Sequence, residues 1–323
     1  GAALAVTCKR IQLNSITAPS PNWSVTFNGD GTPNVIKVGS GELHDVTLNM
    51  TADPTDVQHL GQNTTIGGNL TITSGVLNTN ENAGDNFSLT VTGELSCAGT
   101  FTGNSSAVIA RNLLVTAGTF TAPDGSGSLT LTGEGSSGSG DGYVFRRTGG
   151  TFTHSSGTLT ITTPTTTSIR MGGVGSGQKF NNVILDESST GLILQTNDEG
   201  FYCEGDLTIT DGDFDLNAQA DLVTVVGDVS IAGNDTLGSI SSQQTTDNSF
   251  GSLTIASGGT YNATSGTTTI TSETSGGNAI NIDGSFVHNK GTVKIDHDTS
   301  TNLDIIGTTG VDLYNLIVDS DGT

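Results

Sequence analysis

Two stretches of the chain carry carboxylates at alternating positions: Asp211, Asp213 and Asp215 in TDGDFD, and Asp296, Asp298 and Asp304 in DHDTSTNLD. Alternating oxygen donors are what calcium takes from a turn. Neither stretch has the full calcium-loop pattern or the glycine-rich nonapeptide of calcium-binding rolls. Solvated turn acids are therefore the expectation, and no metal ligand is assigned. His154 and His288 each follow a phenylalanine by two residues and precede a glycine by three. No second ligand or acid recurs beside them, so the expectation is a strand-to-turn residue satisfied by backbone hydrogen bonds. Of the three cysteines, Cys97 sits in SCAG where a second copy reads SIAG at Ile231, and Cys203 matches Ile66. A cysteine in an isoleucine slot is a small buried hydrophobe. Cys8 has no counterpart, and no C-x-x-C spacing suggests a metal or redox pair.

His44, His59 and His297 lack equivalents, and no Ser/His/Asp arrangement can be assembled from these residues. The remaining acids are scattered singly over turns, unlike the paired carboxylates of a polysaccharide-cleaving cleft. A β-helical depolymerase is accordingly the weakest of the functional readings. No catalytic, cofactor-binding or metal residue is assigned and no cofactor is called for: the expectation is not an enzyme. Asn-x-Ser/Thr triplets at Asn22, Asn69, Asn104 and Asn262 carry no weight in a chain so rich in these residues.

What must position these side chains is a repeat. LHDVTLNMTA at 43–52 returns as FNNVILDESS at 180–189 and as LYNLIVDSDG at 313–322, with apolar residues at the same offsets. Between these anchors LTITSGVL (70–77) returns as LTITDGDF (207–214), and LTVTGELSCAG (89–99) as VTVVGDVSIAG (223–233). LLVTAGTFTA (113–122) returns as LTIASGGTYNA (253–263), and FTHSSGTLTI (152–161) as FVHNKGTVKI (286–295). Offsets wander between 133 and 141, and the differences fall in polar Gly/Ser/Thr/Asp segments. Strands keep their length while turns absorb insertions. The organisation expected is the end of a preceding unit over 1–42, unit 1 over 43–179, unit 2 over 180–312, and the start of a third over 313–323. Val25 and Phe27 occupy the slots of Leu159 and Ile161, as do Val293 and Ile295, which reads as a segment of a longer protein.

LTIT, LTVT and LTLT alternate apolar residues with threonine, the period-two signature of a half-buried strand. Turn signals (SG, AG, DG, GG) follow each, and no stretch carries a useful helical period. Three strand-like segments recur every 20–25 residues, which predicts a three-sided parallel coil, an all-β β-solenoid of tandem units of about 135 residues. A β-sandwich would need antiparallel hairpins with Asn-Gly or Asp-Gly turns, and few such steps exist. Aromatic residues make up only 5% of the chain, too few for a thick globular core. A slender solenoid needs less, because each rung covers its neighbour.

Thirty-two acidic residues against ten basic give a net charge of −22. Nucleic-acid binding needs a cationic face and is excluded. Anionic membrane surfaces are disfavoured for the same reason, and no apolar run reaches the length of a membrane span.

GSLTIASGGTYNATSGTTTITSE at 251–273, with its echo LLVTAGTFTAPDGSGSLTLTGE at 113–134, resembles repeat regions of bacteriophage virion proteins. The likeness is to fibres and surface appendages of marine and cyanobacterial phages, and it is similar, less closely, to repetitive bacterial surface adhesins. The resemblance implies a structural protein at the virion surface, a homotrimer in contact with other virion proteins. Such a protein spaces or presents elements that meet a host-surface glycan or protein. It transfers no functional residue, since such families place receptor contacts in variable tips and loops. A cell-surface adhesin or extracellular filament is the alternative.

Overall fold

The computed structural model describes residues 4–8, 11–13, 23–28, 34–38, 43–50, 56–134, 142–163, 167–171, 178–187, 192–194, 200–216, 222–238, 244–274, 276–297, 304–308 and 310–319. The fold is all-β, a parallel β-solenoid with no helix among the described residues. It divides into two compact units, Gly1–Leu159 and Thr160–Thr323.

In the first unit the chain visits three faces in turn. On the first face Thr64–Ile66 pairs with the start of Leu89–Cys97, which pairs with the start of Ala107–Val115 and then with Ser128–Leu131. The second face stacks Leu4–Cys8, Trp23–Phe27, Val46–Asn49 and Leu70–Ser74. It continues through the ends of Leu89–Cys97 and Ala107–Val115 to Tyr143–Arg147. The third face carries short strands, among them Val76–Asn78, Thr100–Thr102, Thr119–Thr121 and Thr151–Thr153. Every one of these pairings is parallel and joins residues one turn apart, which disposes of the sandwich alternative.

Side chains follow the alternation read from the threonines. In Leu70–Ser74 the burial pattern puts Leu70 and Ile72 inside, with Thr71 half-buried and Thr73 exposed. Register stacks like on like: Leu77, Phe101, Phe120 and Phe152 form one inward column on the third face. The Phe101 and Phe120 rings lie 4.6 Å apart and 13° from parallel. These stacked rings sit in the narrow interior, where each buried ring or aliphatic side chain contributes about 1.5–3 kcal/mol. Cys97 and Cys203 are fully buried free thiols, each pushed up to about 12 by desolvation, as isoleucine slots require. The side chain of Cys8 lies outside the described residues.

The second unit repeats the scheme. Its first face runs through Phe201–Cys203, the starts of Val223–Ile231 and Asn248–Ile255, Thr267–Ile270, Thr292–Asp296 and Asn315–Asp319. Its second runs through Asn182–Asp186, Leu207–Asp211, the ends of the two long strands, Asn278–Ile282 and Asp304–Gly307. Phe214, Leu237, Tyr261 and Phe286 form the inward column of the third. Asn315–Asp319 is the sequence counterpart of Asn182–Asp186, yet it stands in the first-face ladder and not the second. One sequence copy is therefore not a whole number of turns.

Candidate functional site

At the corner between first and second faces the chain must turn without losing its amides. A polar residue at the entry to a second-face strand segment solves this with its side chain. In the first unit Asp45 Oδ1 accepts the Asn69 N–H at 2.8 Å, and Asn69 Oδ1 accepts the Glu94 N–H at 2.9 Å. In the second, Asn182 Oδ1 accepts the Asp206 N–H and Asp206 Oδ1 the Asp228 N–H, both at 2.9 Å. A corner polar side chain thus satisfies the amide one turn later, as a cap does for a helix end. Asp45 shows the electrostatic trace. Burial raises its pKa, but the Asn69 N–H, His44 and Ser24 outweigh that and hold it below the ordinary value.

The glycine before several of the corner residues follows from the same geometry. A Cβ at Gly93 would stand 2.3 Å from Asn69 Oδ1, and one at Gly227 would stand 2.3 Å from Asp206 Oδ1. The signature is legible in retrospect: Gly68-Asn69-Leu70, Gly93-Glu94-Leu95, Gly205-Asp206-Leu207, Gly227-Asp228-Val229 and Gly251-Ser252-Leu253. Reading strands alone passes over it, because the polar residue falls between turn and strand.

In the first unit this corner opens into a pocket of about 180 Å³ lined by Asn69, Gly93, Glu94, Arg111, Asn112 and Glu134. Glu94 Oε2 accepts two hydrogen bonds, from Asn112 Nδ2 at 2.8 Å and from the Tyr143 hydroxyl at 2.6 Å. Burial, then the Glu94 carboxylate, raises the Tyr143 hydroxyl well above its ordinary range, so it stays a donor. The Arg146 guanidinium lies 5.6 Å over the Tyr143 ring. Asn112 is 1% exposed, and its buried Oδ1 finds no hydrogen-bond partner among the described residues. Among the described residues Arg111 and Glu134 make no ion pair. The pocket therefore presents both a donor cation and acceptor carboxylates.

The structure places the other candidates as follows. His154 Nδ1 accepts the Ser156 N–H at 3.0 Å and His288 Nδ1 the Lys290 N–H at 2.9 Å. Each ring closes a tight turn whose next two residues have positive φ: Ser155 and Ser156 in one copy, Asn289 and Lys290 in the other. This is the backbone-satisfying role the sequence suggests.

Asp211 is exposed, while Asp213 and Asp215 flank the buried Phe214. Asp211 and Asp213 sit beside Asp235, whose Oδ1 accepts the Gly212 N–H at 3.0 Å. Desolvation, with a smaller push from Asp211 and Asp213, raises the Asp235 pKa despite that hydrogen bond. Asp296 is paired with Lys294 at 2.7 Å, and Lys294 also reaches Asp319 of the next rung at 3.0 Å. Asp304 is exposed, and Asp298 lies outside the described residues. Among the described residues no group of three or more His, Cys, Asp or Glu is placed to hold a metal ion. The Asn104 amide is engaged by Asn78 Oδ1 and Thr79 Oγ1.

Compared with known proteins, the chain finds no match among family models, curated proteins or solved structures.

Proposed function

We propose that this chain is a structural, non-catalytic part of an extracellular assembly, the shaft or appendage of a phage fibre at the virion surface. There it spaces or presents host-attachment elements. The observation that carries the reading is the construction itself: parallel ladders on three faces, inward columns of apolar and aromatic side chains, and corner side chains that clip one rung to the next. Such a coil resists bending because every rung shares backbone hydrogen bonds with two neighbours. The net charge of −22 supports the same role, since like-charged strand surfaces repel rather than aggregate.

The test is electron microscopy of the full-length assembly with this segment labelled. Label along a fibre or appendage of a virion is the expected outcome. Label on a bacterial surface filament overturns the phage assignment and makes the chain part of an adhesin.

A further inference from the structure

We propose that the corner pocket of the first unit binds a single neutral sugar ring, through Arg111 and Glu134 at its rim and Glu94 in its wall. The proposal goes beyond the mechanical role and stands whether or not the chain forms a shaft.

The charges select the ligand. A metal cation would face the guanidinium of Arg111, and an anion would face the carboxylates of Glu94 and Glu134. A neutral polyol satisfies both, because each hydroxyl donates one hydrogen bond and accepts others. Adjacent hydroxyls can donate to a carboxylate while accepting from the planar fork of an arginine.

The wall is pre-set for such a partner. Glu94 Oε2 is already fixed by Tyr143 and Asn112, so the carboxylate is held in one orientation. Asn69 is fixed through its own Oδ1 by the Glu94 amide. The volume of about 180 Å³ admits one ring and not a chain, which points to the terminal residue of a glycan.

The second copy supports the assignment by what it lacks. Leu113 matches Leu253, so Arg111 and Asn112 match Gly251 and Ser252, and Glu94 matches Asp228. There the shorter Asp228 is bonded directly to the Ser252 hydroxyl at 2.7 Å. A Cβ at Gly251 would stand 2.4 Å from the Gly227 carbonyl, so no arginine fits that backbone. The cation is a property of one copy and is not needed to build the corner.

The experiment is saturation-transfer difference NMR on the intact chain. The probes are methyl glycosides of glucose, galactose and mannose, N-acetylglucosamine, sialic acid, and calcium chloride as competitor. At least one neutral sugar should show saturable transfer, and sialic acid should show less. Arg111→Ala and Glu134→Gln, both at the rim and outside the core, should each weaken binding by about tenfold or more while leaving the thermal midpoint unchanged. Absence of transfer from every neutral sugar overturns the proposal. So does binding that survives both rim variants, a preference for the acidic sugar, or displacement by calcium.

Discussion

The same interior slots are filled by opposite chemistry in the two copies. In the first unit Val108, Phe120 and Leu129 are hydrocarbon, all buried. Their register equivalents in the second unit are Asn248, Tyr261 and Thr268. The Tyr261 hydroxyl accepts from Asn248 Nδ2 at 3.0 Å and lies 3.0 Å from Thr268 Oγ1. Asn248 is held in turn by Gln244, with Nε2 to Oδ1 at 3.0 Å. The added hydroxyl of Tyr261 arrives together with the partners that satisfy it. A buried polar group is tolerable only as part of a complete set. The backbone ladder is indifferent to which solution is used, provided each solution is whole.

The largest effect should come from violating both solutions at once. Ile72→Asp or Ile209→Asp puts a carboxylate into a fully buried column, at a cost of about 4 kcal/mol or more. Loss of the cooperative thermal transition by circular dichroism is the expected result in either unit. Thr71→Asp and Thr208→Asp, on the outward side of the same strands, should leave it nearly in place. Equal effects would refute the inward and outward assignment.

Next in size is a transplant. Phe120→Tyr places an unpartnered hydroxyl between Val108 and Leu129 and should cost about 1–3 kcal/mol in urea unfolding. A neutral result would mean that the interior of the first unit admits water.

The reverse change, Tyr261→Phe, leaves the Asn248 amide and the Thr268 hydroxyl short of a partner and should cost a similar ~1–3 kcal/mol. Combined with Asn248→Val it should cost less than the two single changes summed. A coupling of about 0.5 kcal/mol or more would establish the set as one network, and strict additivity would dissolve it.

The smallest expected effect is a pH dependence. The Asp235 pKa is raised in the folded chain, so its contribution to stability is fully present below the unfolded carboxylate value. That contribution is lost as pH rises through the folded one. Asp235→Asn should therefore raise the thermal midpoint at neutral pH, with the gain shrinking as the solution is acidified below the carboxylate range. A gain that persists undiminished in acid would point to packing instead.

Much of this architecture is legible in the residues. Leu-Thr-Ile-Thr alternation fixes which atoms face inward, and a cysteine replacing isoleucine announces burial. Paired glycines mark where the chain turns. The corner ladder is harder to see, because Asp45, Asn69 and Asp206 bond to amides that lie more than twenty residues away. Nothing local to any of them signals that partner. The pocket is hidden for a related reason. Glu94, Asn112 and Tyr143 are separated by 18 and 49 residues from their hydrogen-bonding mates, and only stacking unites them. The polar trio around Tyr261 spans only 7 to 13 residues, yet taken singly Asn248 and Thr268 look like surface residues.

The corner clips also give the coil a direction. Each side chain belongs to the earlier rung and each amide it holds belongs to the later one. Removing the Asn69 side chain would release the amide of Glu94 above it, while its own amide stays fastened to Asp45 below. Damage at a corner is thus passed forward along the chain and not back. Loss of a corner side chain therefore costs the following turn a hydrogen bond and leaves the preceding turn's clip in place.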